Sequence, residues 1–209
     1  MEEPAAVGGV RCVVMIGCQN QPLLLLETTT PDHHQDDSDP AERRLRFSYI
    51  AHCALDALEE KVLLARRSAA DAAPAPGGGG VGVGAGAAGA GAYLGLLYPT
   101  ERYRVYGYCS ATHFKVVLVV EPVDRRGGGG GGAAAPEGPP PHTPSSSWPR
   151  DADLSALCQR LHRVYVDATS NPFFLPGAPL EDDPRVKAGV GAALAEFASG
   201  GGGSSWAAA

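Results

Sequence analysis

Asp32, His33, His34, Asp36, Asp37 and Asp39, in the stretch DHHQDDSD, are the densest group of potential metal ligands in the chain. Imidazoles beside carboxylates suit a hard or borderline divalent ion. The EF-hand spacing, with its glycine at the sixth position and its glutamate at the twelfth, is absent, and a solvated polar loop has the same composition. His52 and Cys53 are the next pair with chemical potential. On a helix, adjacent residues point about 100° apart, so the imidazole cannot take the thiol's proton directly. Cys53 reads as a small buried hydrophobe. His113 and His162 have no partner in sequence that would make a triad. The string from Gly84 to Gly89 fits G-x-G-x-x-G, but it lies in a glycine/alanine repeat, after a helical pattern and before a strand-like one. A dinucleotide fingerprint needs the reverse order. These residues predict no catalytic group, no metal and no cofactor.

The bulk composition narrows the classes further. Lysine and arginine number 17 against 23 acids, a net charge of −6, which is the wrong sign for a nucleic-acid binder. Five cysteines stand at scattered positions, none in C-x-x-C spacing, so neither a disulfide framework nor a zinc site is expected and a reducing compartment fits. The acidic start MEEPAAVGG lacks the basic end of a signal peptide. No apolar run reaches the roughly 18 residues needed to span a bilayer.

The elements that must position any site follow from periodicity. Residues 10–18 form a Val-rich apolar run and 23–29 a second, joined by QNQP, so a hairpin is predicted. Residues 30–44 read as a polar loop. From about 45 to 67 the apolar positions Ile50, Cys53, Ala54, Ala57, Leu58 and Leu64 share one arc of a helix. His52, Asp56, Glu59, Glu60 and Arg67 form the opposite, polar arc, and Lys61 projects from the apolar side, where it must snorkel or meet an acid. Three strands are expected over 93–99, 102–109 and 114–122, the last apolar throughout and therefore central. A second helix over about 150–169 repeats Leu154, Leu157, Cys158, Leu161, Val164, Tyr165 and Ala168. A third, over 184–198, starts at Pro184 behind Asp183, buries Val186, Val190, Leu194 and Phe197, and is weakened by Gly189 and Gly191. The low-complexity segments 69–92 and 123–149 and the tail 200–209 cannot bury enough surface to offset the entropy of ordering them. The order β-β-α-β-β-β-α-α specifies an α+β domain over 1–199, a five-stranded antiparallel sheet flanked by three helices, with two inserted loops.

Four blocks carry a family resemblance: YIAHCALDALEEK (49–61), YLGLLYPTERYRVYGY (93–108), FKVVLVVE (114–121) and LHRVYVDATSNPFFLPG (161–177). They resemble the sedlin-type small subunits of the TRAPP vesicle-tethering complex, and the second block resembles the 2-like branch of that family. The resemblance implies a longin-like (profilin-like) fold with one helix on one sheet face and two on the other. It implies a non-enzymatic adaptor, cytoplasmic and peripheral to ER and Golgi membranes. Its partners would be helical core subunits and a large scaffold subunit, and indirectly a Rab/Ypt-family GTPase. A small-ligand-binding or longin-type regulatory domain outside TRAPP is the competing reading, and a deep polar pocket would favour it.

Two groups are candidate contact residues. His52, Asp56, Glu59 and Glu60 make an acidic arc suited to selective docking, and the acid after Ala54-Leu55 belongs to the family's signature. Phe173 and Phe174 lie between Pro172 and Pro176 in a stiffened turn after the second helix. Phe173 is expected to pack inward as an anchor, with Phe174 at the surface.

Overall fold

The computed structural model describes residues 9–28, 39–71, 92–124 and 146–199. Strands β1 (Val10–Ile16), β2 (Pro22–Glu27), β3 (Ala92–Pro99), β4 (Arg104–Cys109) and β5 (Lys115–Val120) form one antiparallel sheet in the order β2-β1-β5-β4-β3. Helix α1 (Pro40–Asp71) covers one face. Helices α2 (Asp151–Thr169) and α3 (Pro184–Ala198) cover the other. This is the expected α+β, longin-like arrangement.

β5 is central because every position on it is buried. Alternation then sorts side chains between two cores. Val13, Met15, Tyr106, Tyr108, Val116, Leu118 and Val120 meet Leu154, Leu157, Leu161, Val186, Val190 and Leu194. Cys12, Val14, Ile16, Val105, Val117 and Val119 meet Phe47, Ile50, Ala51, Ala54 and Leu58. Phe114 stacks on Tyr165 at 3.8 Å, and His162 lies against Phe114 while its Nδ1 sits 2.9 Å from the Tyr108 hydroxyl. His162 is thus a half-buried histidine packed at the edge of this core, and desolvation lowers its pKa.

Several boundaries differ from the pattern reading. α1 begins at Pro40, so residues 40–44 are helical rather than loop. The reason is a cap: the Asp39 carboxylate accepts from the Ala41 N–H at 3.2 Å, its carbonyl accepts from the Arg43 N–H at 3.0 Å, and Pro40 occupies the first turn. Leu64 is 54% exposed despite lying on the apolar arc. A 32-residue helix runs about 48 Å, well beyond strands of six to eight residues, so its C-terminal part has no sheet beneath it. Cys53 is only half-buried. Lys61 snorkels, its Nζ donating to the carbonyls of Leu94 and Leu96 on the edge strand β3. Inside the expected insertion 123–149, β6 (Val123–Asp124) pairs with β7 (Ser146–Ser147). Trp148 then packs on the core beneath the Arg104 guanidinium, 4.1 Å from the ring centroid. Residues 72–91 and 125–145, most of both insertions, and the tail 200–209 lie outside the described residues, as does the string 84–89.

α3 starts as expected, with the Asp183 carboxylate accepting from the Arg185 N–H at 2.8 Å. Gly189 has a second role. A Cβ there would stand 3.0 Å from both methyls of Val164, so the glycine lets α3 approach α2 closely. At Gly191 a Cβ would meet nothing, and there the expected cost to the helix stands alone.

Candidate interaction surface

The residues that bury α1 are Phe47, Ile50, Ala51, Ala54 and Leu58. Directly opposite lies a stripe of Leu45, Tyr49, His52, Asp56, Glu60 and Leu63, each three or four residues from the last and all exposed. Leu45 is 71% and Tyr49 70% exposed, a large apolar area for an outward helix face. The stripe is therefore acidic in its middle and apolar at its ends. The carboxylates of Asp56 and Glu60 make no hydrogen bond or ion pair among the described residues.

Glu59 behaves differently from its neighbours. Its Oε1 accepts from the Asn20 side-chain amide at 3.0 Å and lies 3.4 Å from Lys115 Nζ, which also donates to Asn20 Oδ1. Lys115 is buried, so this contact neutralises a buried cation and ties α1 to the β1–β2 turn. The Asn20 hydrogen bond, partly opposed by desolvation and aided by Lys115, holds the Glu59 carboxyl below its usual range. Glu59 thus has a structural role that the helical wheel cannot show.

The two phenylalanines are reversed from expectation. Phe173 is 88% exposed, whereas Phe174 packs against the α2/α3 core. The Asn171 side-chain amide oxygen accepts from the Phe173 N–H at 3.1 Å, and its backbone carbonyl accepts from the Phe174 N–H at 2.9 Å. This Asx turn orders the backbone at Phe173 and Phe174, and Phe174 is the one that meets the α2/α3 core.

Two concavities flank α1. A cleft of about 210 Å³ is lined by Leu58, Glu59, Val62, Leu63, Cys109, His113 and Lys115. A groove of about 380 Å³ runs between β2 and the start of α1, where Arg44 pairs with Glu181 at 2.6 Å and Arg43 with Glu27 at 3.7 Å. In the cleft Glu59 faces Lys115, and in the groove both arginines face an acid, with Lys187 lining it as well. No group of three or more His, Cys, Asp or Glu able to hold a metal occurs among the described residues. The stretch 31–38, with most of DHHQDDSD, lies outside them. Burial pushes the Cys12 and Cys158 thiols up, away from nucleophilic character. No helix among the described residues is long and apolar enough to cross a membrane.

The sequence profile of the family described as Sedlin matches residues 15–191, well over half of the chain. The chain belongs to the sedlin family. Proteins called trafficking protein particle complex subunit 2-like protein are similar to this sedlin-family chain over most of its length. The one from Xenopus tropicalis is 29% identical over 170 residues, 81% of this chain and 86% of the relative. The one from Dictyostelium discoideum shows the same identity and coverage, 29% over 170 residues. The one from Rattus norvegicus is 28% identical over 166 residues, 79% of this chain and 84% of the relative. The sedlin match spans β2 to β5, α1, α2 and the turn bearing Phe173, with the end of β1 and the first half of α3. Within this sedlin-family surface, sequence reasoning missed Leu45, Tyr49 and Leu63. Their spacing with His52 and Asp56 was a usable signal, but it emerges only once the helix is started at Pro40 and its buried arc is known.

Proposed function

We propose that the chain is a subunit of the TRAPP vesicle-tethering complex and acts by docking to other subunits rather than by catalysis. The observation that carries this reading is the outward stripe of α1, acidic at Asp56 and Glu60 and apolar at Leu45, Tyr49 and Leu63, on a chain whose relatives bear the name of a trafficking-particle subunit. Its partners are the helical core subunits and a large scaffold subunit. Through the complex it supports activation of a Rab/Ypt-family GTPase in ER-to-Golgi and intra-Golgi transport, from a cytoplasmic position peripheral to those membranes. His52, Asp56 and Glu60 select the partner by charge, and the apolar ends supply desolvated area.

The competing ligand-binding reading has less support. Small-molecule sites are concave, about 300–1,000 Å³, with a few unsatisfied polar groups converging on the ligand. The cleft is smaller than that at about 210 Å³. The groove is large enough, but its arginines are already paired with Glu27 and Glu181. Affinity purification of the full chain followed by mass spectrometry tests the proposal. Recovery of TRAPP subunits is expected, and recovery of none overturns it.

A further inference from the structure

Phe173 and Leu175 are the two most exposed large hydrophobic side chains among the described residues, at 88% and 74%. They are not loosely held. Besides the Asn171 bonds, the Leu175 carbonyl accepts from the Ala178 N–H at 3.0 Å, and the Leu180 N–H donates to the Leu23 carbonyl at 2.7 Å. Phe174 and Leu180 anchor the turn in the core from either side of Leu175. Pro172, Pro176 and Pro179 restrict the backbone, and Gly177 supplies a φ of 86°. Two apolar side chains are thus displayed on a pre-ordered scaffold, which removes much of the entropy cost of binding.

The β1–β2 turn lies alongside. A Cβ on Gly177 would stand 3.3 Å from the Gln21 side-chain amide. Cys18, Gln19 and Asn20 are exposed on that turn. Together, residues 17–22 (GCQNQP) and 170–179 (SNPFFLPGAP) contain no Asp, Glu, Lys or Arg, in a chain with 40 such residues (17 basic plus 23 acidic). A tip whose own residues carry no charge, with an aromatic and an aliphatic centre and an amide rim, has the composition of a protein interface core. A lipid surface is a poorer fit. Binding anionic headgroups needs Lys or Arg, and two short apolar side chains give little anchoring on their own.

We propose that this tip, centred on Phe173 and Leu175 and flanked by Cys18 and Gln19, inserts into an uncharged apolar pocket on another subunit of the complex. The inference rests on the TRAPP reading and adds a second contact surface to the α1 stripe. Asn20 joins the two, since its side chain bonds Glu59 of α1 from the same turn.

The test uses the full chain with Phe173→Ser and Leu175→Ser combined, measured by quantitative co-purification of TRAPP subunits beside a melting curve. Recovery is expected to fall by about tenfold or more, with the melting temperature close to the parent's. Cys18→Glu is the second variant, and it leaves the Asn171–Ala178 turn intact. A charge carried into an apolar pocket should weaken recovery similarly, so this variant decides the matter if the first proves unstable. Undiminished recovery with both variants overturns the tip as a docking site while leaving the TRAPP reading standing. A parent chain that recovers no subunit removes both. Flotation of the parent, but not the double variant, with phosphatidylcholine vesicles would assign the tip to membrane instead. A concentration-dependent dimer lost in the variant would assign it to a second copy of this chain. Either result overturns the proposal.

Discussion

The two faces of the sheet are covered unequally. α2 and α3 lie side by side on one face, and their apolar sides interlock with each other and with β1, β4 and β5. Gly189 against Val164 shows how closely they approach. The opposite face has α1 alone. The outer strands of a five-stranded sheet lie roughly 19 Å apart and a helix is about 10 Å across, so two helices can seal a face and one cannot. The consequence is visible at β3, where Lys61 of α1 covers the edge carbonyls of Leu94 and Leu96 instead of a neighbouring helix. Apart from the α2–α3 turn that displays Phe173 and Leu175, the doubly covered side keeps few exposed large apolar side chains, Val166 of α2 and Leu96 of β3 among them. The singly covered face keeps a helix whose outward side is acidic and apolar and whose C-terminal end overhangs the sheet.

Breaking this contrast should be easiest at a fully buried position of the sealed face. Leu161→Ala removes a side chain with no exposed surface and is expected to lower stability by about 2–5 kcal/mol, measured by urea denaturation. Leu63→Ala, on the overhanging end of α1, should change it by less than about 0.5 kcal/mol. Comparable losses for the two would mean that α1 packs as tightly as α2.

Asp56→Tyr sharpens the functional side of the comparison. The carboxylate is exposed and unpartnered among the described residues, so the variant should melt like the parent. Association with TRAPP subunits should weaken on the order of 30-fold, the effect of losing a charge pair desolvated at an interface. Equal binding would move the docking face away from α1. Unfolding would make Asp56 structural.

Acid should separate the faces as well. His162, on the sealed side, has a pKa lowered from 6.5 by desolvation, so the unfolded chain binds its proton first. Its contribution is present above pH 6.5 and declines as pH falls toward the folded value. Glu59, on the α1 side, is lowered from 4.5 mainly by Asn20, so its contribution is complete above that value and is lost at lower pH. Stability measured against pH should therefore decline in two windows. His162→Phe should remove the upper one and leave the lower. An unchanged upper window in that variant would assign it to another group.

The smallest effect concerns α3. Gly191→Ala meets open space and should stabilise by roughly 0.5–1 kcal/mol. Gly189→Ala gains the same helix propensity but presses on the Val164 methyls, so its melting temperature should fall below that of Gly191→Ala. Equal gains at both positions would mean that α2 and α3 can part without cost.

Periodicity alone established the element order, the central place of β5, the apolar face of α2 and the start of α3 at Asp183-Pro184. Each of these depends on residues close in sequence, and a 3.6- or 2-residue period records them locally. The start of α1 was legible too, in Asp39-Pro40, but the surrounding acids made the segment read as loop. Tertiary structure decided the rest. Glu59 differs from Asp56 because Asn20 and the buried Lys115 reach it across the fold. Phe174 rather than Phe173 turns inward because the Asn171 turn meets the α2/α3 core at that residue. Leu64 is left uncovered because α1 outruns the strands. For Glu59 the deciding neighbours lie far along the chain; for Phe174 and Leu64 what decides is the packing, or its absence, once the elements meet, and the helical wheel carries no record of it.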